Sequence, residues 1–129
     1  LSKSVLIVDD EPMARTMLRL ILARAGFDVS EAQDGEEALA QVKREMPDLM
    51  ILDIMMPGMD GFAVCEVLRK ESSTVNLPII MLSAKADAES VNKGLRLGAT
   101  KYLTKPVTPD DLTRHVREVL VAEDDIHSP

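Results

Sequence analysis

The chain has 129 residues, 46% hydrophobic and 29% charged, the balance of one soluble globular domain with room for a sizeable core. A formal charge of −7 and the absence of any Lys/Arg run argue against direct binding to a nucleic-acid backbone. No apolar run approaches the ~20 residues that span a bilayer, nothing reads as a secretory leader, and the single Cys65 excludes an internal disulfide, so the expected location is the cytoplasm.

VLIVDD (5–10) reads as a buried strand that closes on Asp9 and Asp10. Pro12 suits a helix start, and Ala14, Met17, Leu18, Ile21, Leu22 and Ala25 recur at spacings of three and four until Gly26 stops the helix. DVSEA (28–32) is a short strand. Asp34 and Gly35 open a helix with a narrower stripe of Ala38, Leu39 and Val42, and Pro47 separates it from the strand DLMILD (48–53). MMPGMDG (55–61) is loop chemistry. Helical spacing returns over 62–70 with Val64, Val67 and Leu68 inward, which makes Cys65 a packed thiol rather than a nucleophile.

After the polar connector SSTVN (72–76), PIIMLSA (78–84) is a fourth strand closing on Ser83. A weaker helix over 88–97 offers only Val91 and Leu95 as an apolar face, with Gly94 in its interior, and Gly98 ends it. KYLTKP (101–106) is a fifth strand closing on Lys105. Pro109 and Asp110 start a last helix, over 109–121, packed through Leu112, Val116, Val119 and Leu120. The polar tail AEDDIHSP (122–129) reads as an unstructured end or the stub of a linker.

Strict alternation of strand and helix predicts an α/β fold: a doubly wound, five-stranded parallel sheet with helices on both faces. Periodicity leaves the strand order open; 2-1-3-4-5 is common in such sheets and would set the ends of the first and third strands side by side. Ligands of these folds bind beyond the carboxyl ends of the strands. Three carboxylates (Asp9, Asp10, Asp53), a hydroxyl (Ser83) and an ammonium (Lys105) therefore converge on one edge, as in a divalent-metal and phosphoryl site.

At ~4 Å and an effective dielectric near ~20, each carboxylate pair repels by about 4 kcal/mol, a cost that a cation removes. Carboxylate and carbonyl oxygens with water suit Mg2+. Helix capping by Asp10 and Glu11 is the simpler account of those two, but it leaves Asp9 and Asp53 unexplained. Asp53, ending the central apolar strand, can attack phosphorus and form an acyl phosphate, with the metal on one side and Lys105 and Ser83 on the other. Taken singly, Ser83 is a turn residue, Lys105 a surface charge and Tyr102 a half-buried aromatic; the joint placement of the first two reverses that for them.

The set DD after the first strand, DIMMPGMDG around the end of the third, SA after the fourth and KP after the fifth resembles the receiver domains of two-component response regulators, over about residues 3–122. The remainder, 123–129, is then the tail or linker stub. The resemblance implies the 2-1-3-4-5 sheet and phosphorylation of Asp53 by a histidine kinase or a phosphotransfer protein. It also implies Mg2+ held by Asp9, Asp10, Asp53 and the Met55 carbonyl, with phosphoryl oxygens received by Ser83, the Ala84 amide and Lys105. Tyr102 would move inward as Ser83 is drawn to the phosphoryl group, and the Lys105–Pro106 bond would be cis. Output would pass through the fourth helix, fifth strand and fifth helix to an effector domain, a downstream protein or a second copy of the domain, without turnover of a separate substrate.

Two other classes compete. A small Mg2+-dependent phosphatase with an aspartyl nucleophile usually carries a second Asp two residues on, where this chain has Met55. A nucleotide binder would need a G-x-x-x-x-G-K-[ST] or G-x-G-x-x-G loop after the first strand, and neither is present.

Overall fold

The computed structural model describes residues 2–127. Strands β1 (Ser4–Val8), β2 (Asp28–Ala32), β3 (Leu49–Leu52), β4 (Ile79–Ser83) and β5 (Lys101–Thr104) form one parallel sheet in the order β2-β1-β3-β4-β5. Helices α1 (Pro12–Arg24), α2 (Gly35–Arg44), α3 (Gly61–Lys70), α4 (Ala88–Arg96) and α5 (Pro109–His127) alternate with them. The α/β class read from the alternation and the strand order implied by the resemblance both hold.

The continuous apolar runs of β1, β3 and β4 follow from burial on both faces. Val5, Ile7, Leu49, Ile51, Ile80 and Leu82 pack against Leu18 and Leu22 of α1 and Leu112, Val116, Val119 and Leu120 of α5. Their neighbours Leu6, Val8, Met50, Leu52, Ile79 and Met81 face the other way, onto Ala38 and Val42 of α2 and Val64, Cys65 and Leu68 of α3. Each fully buried Leu, Ile or Val contributes roughly 1.5–3 kcal/mol. The sheet is therefore a fixed platform whose carboxyl edge can hold charged groups in register.

Four acidic side chains are accounted for by helix starts. Asp34, Asp60 and Asp87 each accept the amide three residues on, from Glu37 (2.8 Å), Ala63 (2.9 Å) and Ser90 (3.0 Å). Glu11 caps α1 by accepting from Met13 (3.2 Å) and Ala14 (2.8 Å). Capping thus takes Glu11 out of the acidic run and leaves Asp9 and Asp10.

Three local expectations differ. In α1, Met17 is 64% exposed, because the buried stripe is narrowed to Leu18 and Leu22. In α4 the inward residues are Ser90 and Gly94, while Leu95 faces solvent. A Cβ at Gly94 would come within 2.7 Å of Met81 Sδ and 2.9 Å of Tyr102 Cδ2, so the helix approaches the sheet through a missing side chain rather than an apolar one. Finally, α5 continues to His127, through residues read as a tail; Ala122 and Glu123 suit a helix, and Asp124 and Asp125 are exposed. Residues 128 and 129 of that tail lie outside the described part. Among the described residues, no helix is long and apolar enough to cross a membrane.

Candidate functional site

Strand register assembles the site. Val8 lies opposite Leu52, so the next residues, Asp9 and Asp53, leave adjacent strand ends together. Their amides continue the ladder, Asp53 N donating to Val8 O (2.9 Å) and Asp9 N to Ala32 O (3.2 Å). Ser83 lies opposite Thr104, which delivers Lys105 one residue later; its amide donates to Ser83 O (2.9 Å). The Lys105–Pro106 bond is cis, the isomer the resemblance implies.

Asp9 and Asp53 are buried and Asp10 is exposed, and one carboxylate oxygen from each lies within 4.8 Å of the others. Lys105 Nζ sits 3.0 Å from Asp9 Oδ2 and 3.5 Å from Asp53 Oδ2. The Met55 amide donates to Asp53 Oδ1 (3.3 Å), which places Met55 beside the cluster. Three carboxylates against one ammonium leave two formal negative charges uncompensated. That donor set, all hard oxygen, fits a divalent cation such as Mg2+.

Ser83 is fully buried; its hydroxyl accepts the Lys85 amide (3.3 Å), and Ala84 between them is exposed. The Tyr102 hydroxyl donates to the Lys85 carbonyl (2.6 Å), so the Lys85 backbone links Ser83 to Tyr102. Tyr102 also packs its ring edge over Gly94. A groove of about 910 Å3 between α1 and α5, lined by Met17, Leu20, Arg117 and Val121 among others, contains none of these groups.

Burial pushes the Asp53 carboxyl above the ordinary aspartate value; the Lys105 charge opposes this and the Asp9 charge adds to it. Burial works against the Lys105 charge, but the Asp9 hydrogen bond and the charges of Asp53 and Asp9 outweigh it, so its pKa is raised. Lys105 therefore stabilises the fold fully below the ordinary lysine value, and this is lost as pH rises through its higher folded pKa. Asp53 has the opposite sense: ionised, it lowers stability above its folded pKa, and the deficit fades as pH falls toward the ordinary aspartate range. Metal-free Asp53→Asn should accordingly melt at a higher temperature than the parent at neutral pH, with the gap closing on acidification. A parent that melts higher at neutral pH would contradict this.

Two residues escaped the sequence reading. Arg15 of α1 donates from Nη1 to the Asp9 carbonyl (2.8 Å). Its signal was an arginine three and seven residues before Leu18 and Leu22, on the buried face of the helix. Gly61 brings the start of α3 against the Asp53 and Ile54 backbone, and in sequence it looked like any loop glycine.

Comparison with known proteins agrees with this geometry. The family model of the response regulator receiver domain matches residues 5–117. The alkaline phosphatase synthesis transcriptional regulatory protein PhoP of Bacillus subtilis is 43% identical over 120 residues, covering 93% of this chain and 49% of that protein. The DNA-binding response regulator MtrA of Mycolicibacterium smegmatis is 44% identical over 121 residues, covering 94% and 52%. The structure of the chemotaxis protein CheY4 of Vibrio cholerae superposes with a TM-score of 0.87 at 36% identity, covering 92% of this chain and 99% of that one. The chain spans about half the length of the curated relatives it matches, and nearly the whole of this chemotaxis protein. With sheet order, acidic edge and family model all concurring over the same residues, the chain belongs to the response regulator receiver domains of two-component systems.

Proposed function

We propose that this receiver is a switch controlled by phosphorylation of Asp53. The observation that carries the reading is a buried carboxylate at the end of β3, beside Asp9 and Asp10 and within 3.5 Å of the Lys105 ammonium. Asp9, Asp10 and Asp53, with the Met55 carbonyl, would hold Mg2+, which when bound neutralises charge on the carboxylates and on the incoming phosphoryl oxygens. An Asp53 oxygen attacks phosphorus, the bond to the donor's nitrogen or oxygen breaks, and the donor leaves with that electron pair. Lys105 exchanges part of its contact with Asp9 and Asp53 for a phosphoryl oxygen, and Ser83 and the Ala84 amide donate to the others.

The donor would be a histidine kinase or a phosphotransfer protein, in the cytoplasm. With a formal charge of −7, the domain is a poor ligand for DNA; where relatives named as transcriptional or DNA-binding regulators are about twice as long, that contact would belong to another domain. The boundary near residue 122 would then fall within α5, which runs on as the start of a connection.

Incubation with acetyl phosphate and Mg2+ tests the reading. One adduct per chain is expected. Sustained release of phosphate with many turnovers would instead identify a phosphatase, and no adduct with no turnover would reject both.

Readout is expected on the face of α4, β5 and α5. Drawing the Ser83 hydroxyl toward a phosphoryl group removes its contact with Lys85 and frees space for Tyr102, biasing two arrangements of α4. The coupling so gained is commonly about 1–3 kcal/mol. Beryllofluoride, whose fluorines stand in for phosphoryl oxygens, should shift amide resonances across residues 83–104 and favour a partner or second copy on that face. Shifts confined to the loops around Asp9, Asp53 and Ser83 would mean occupancy without a switch.

A further inference from the structure

Every polar group of Asp9 has a partner. Its amide donates to Ala32 O (3.2 Å), Oδ1 accepts from the Glu11 amide (2.9 Å), Oδ2 meets Lys105 Nζ (3.0 Å), and its carbonyl accepts from Arg15 Nη1 (2.8 Å). Asp10, by contrast, is exposed. The Asp9 carbonyl and the Asp10 amide belong to one planar peptide unit, and the Glu11 amide held by Asp9 Oδ1 belongs to the next, so anchoring both fixes the direction in which the Asp10 side chain leaves the chain.

Arg15 is itself anchored. Its Nε lies 3.4 Å from Glu31 Oε1, and Arg19 Nε holds the other oxygen of Glu31 at 3.1 Å. The Glu31 carbonyl accepts from Gln41 Nε2 (2.6 Å), and the next residue of β2, Ala32, receives the Asp9 amide. The clamp and the strand edge are thus one unit. The Arg15 side chain is only 17% exposed and uses two nitrogens of its planar fork at once, which a lysine ammonium cannot reproduce in those directions.

We propose that Arg15 is a positioning residue of the acidic site, fixing the Asp9–Asp10 peptide plane so that the exposed Asp10 carboxylate is aimed into the cluster. The inference rests on the reading of Asp9, Asp10 and Asp53 as a Mg2+ site. Charge alone would give Arg15 the opposite effect: a guanidinium near a cation site repels the cation, and its removal should tighten Mg2+ binding. Positioning and charge therefore differ in sign.

The test is a Mg2+ titration of the full chain followed by amide chemical shifts, for the parent, Arg15→Gln, Arg15→Lys and Asp10→Ala. Arg15→Gln should weaken Mg2+ binding about 10-fold, the lower end of what loss of an outer-shell partner costs a metal site. Arg15→Lys keeps the charge but loses the fork, so it should weaken binding too, by less. Asp10→Ala marks the loss of the carboxylate itself. Equal or tighter binding in Arg15→Gln or in Arg15→Lys overturns the positioning role. A parent that binds no Mg2+ overturns the metal reading as well, and is distinguished by the first titration.

Discussion

Asp53→Asn should emerge from incubation with acetyl phosphate and Mg2+ without an adduct, read by intact mass. The substitution keeps the size of the side chain and an oxygen that can accept the Met55 amide, so the end of β3 should hold its shape. An amide oxygen does not attack phosphorus as a carboxylate does, and its transfer product would not be an acyl phosphate. Lys105 retains Asp9 Oδ2 at 3.0 Å and is not left unpaired. The melting comparison described for the metal-free proteins shows, on the same variant, that loss of labelling is not loss of fold. Labelling equal to the parent would remove Asp53 as the phosphoacceptor, and the neighbouring carboxylates would then have to be searched.

What could be read from the sequence divides along physical lines. β1, β3 and β4 stood out because strands buried on both faces need unbroken apolar runs. Their polar ends stood out for the same reason, since Asp9, Asp53 and Ser83 interrupt those runs abruptly. Strand order is not a local property, and only the resemblance supplied it. Periodicity does not show how α4 packs, because its contact with Met81 and Tyr102 is made by Gly94 and periodicity counts side chains that are present. Arg15 is not legible in the sequence, because a charged residue on an apolar stripe has no evident role until its two partners, the Asp9 carbonyl and Glu31, arrive from β1 and β2. The end of α5 lies beyond the sequence expectation because falling hydrophobicity marks the edge of a core, not the end of a helix.

Gly61→Ala should destabilise the domain and disable the site together, although alanine is the better helix former. A Cβ at position 61 would overlap the Asp53 carbonyl oxygen and lie 2.7 Å from Ile54 Cα and 3.0 Å from the Asp53 carbonyl carbon. These are backbone atoms, pinned by the hydrogen bonds of Gly61 N to Ile54 O (2.9 Å) and Asp53 N to Val8 O (2.9 Å), so no side chain can rotate away to make room. Either α3 backs off the sheet, opening the packing of Val64, Cys65 and Leu68, or the Asp53 peptide shifts. Overpacking of this kind costs about 1–3 kcal/mol, which at a urea slope of roughly 1–3 kcal/mol per molar lowers the unfolding midpoint by about 1 M. Moving the carboxylate by about an ångström relative to Lys105 should slow phosphorylation on the order of a hundredfold. Gly58→Ala is the contrast: its φ of +76° makes alanine strained, but nothing lies within 4 Å of the added carbon, so stability should fall modestly and phosphorylation should persist. A Gly61→Ala midpoint equal to or above that of the parent would show that helix propensity prevails and that α3 does not press on the phosphoacceptor's backbone.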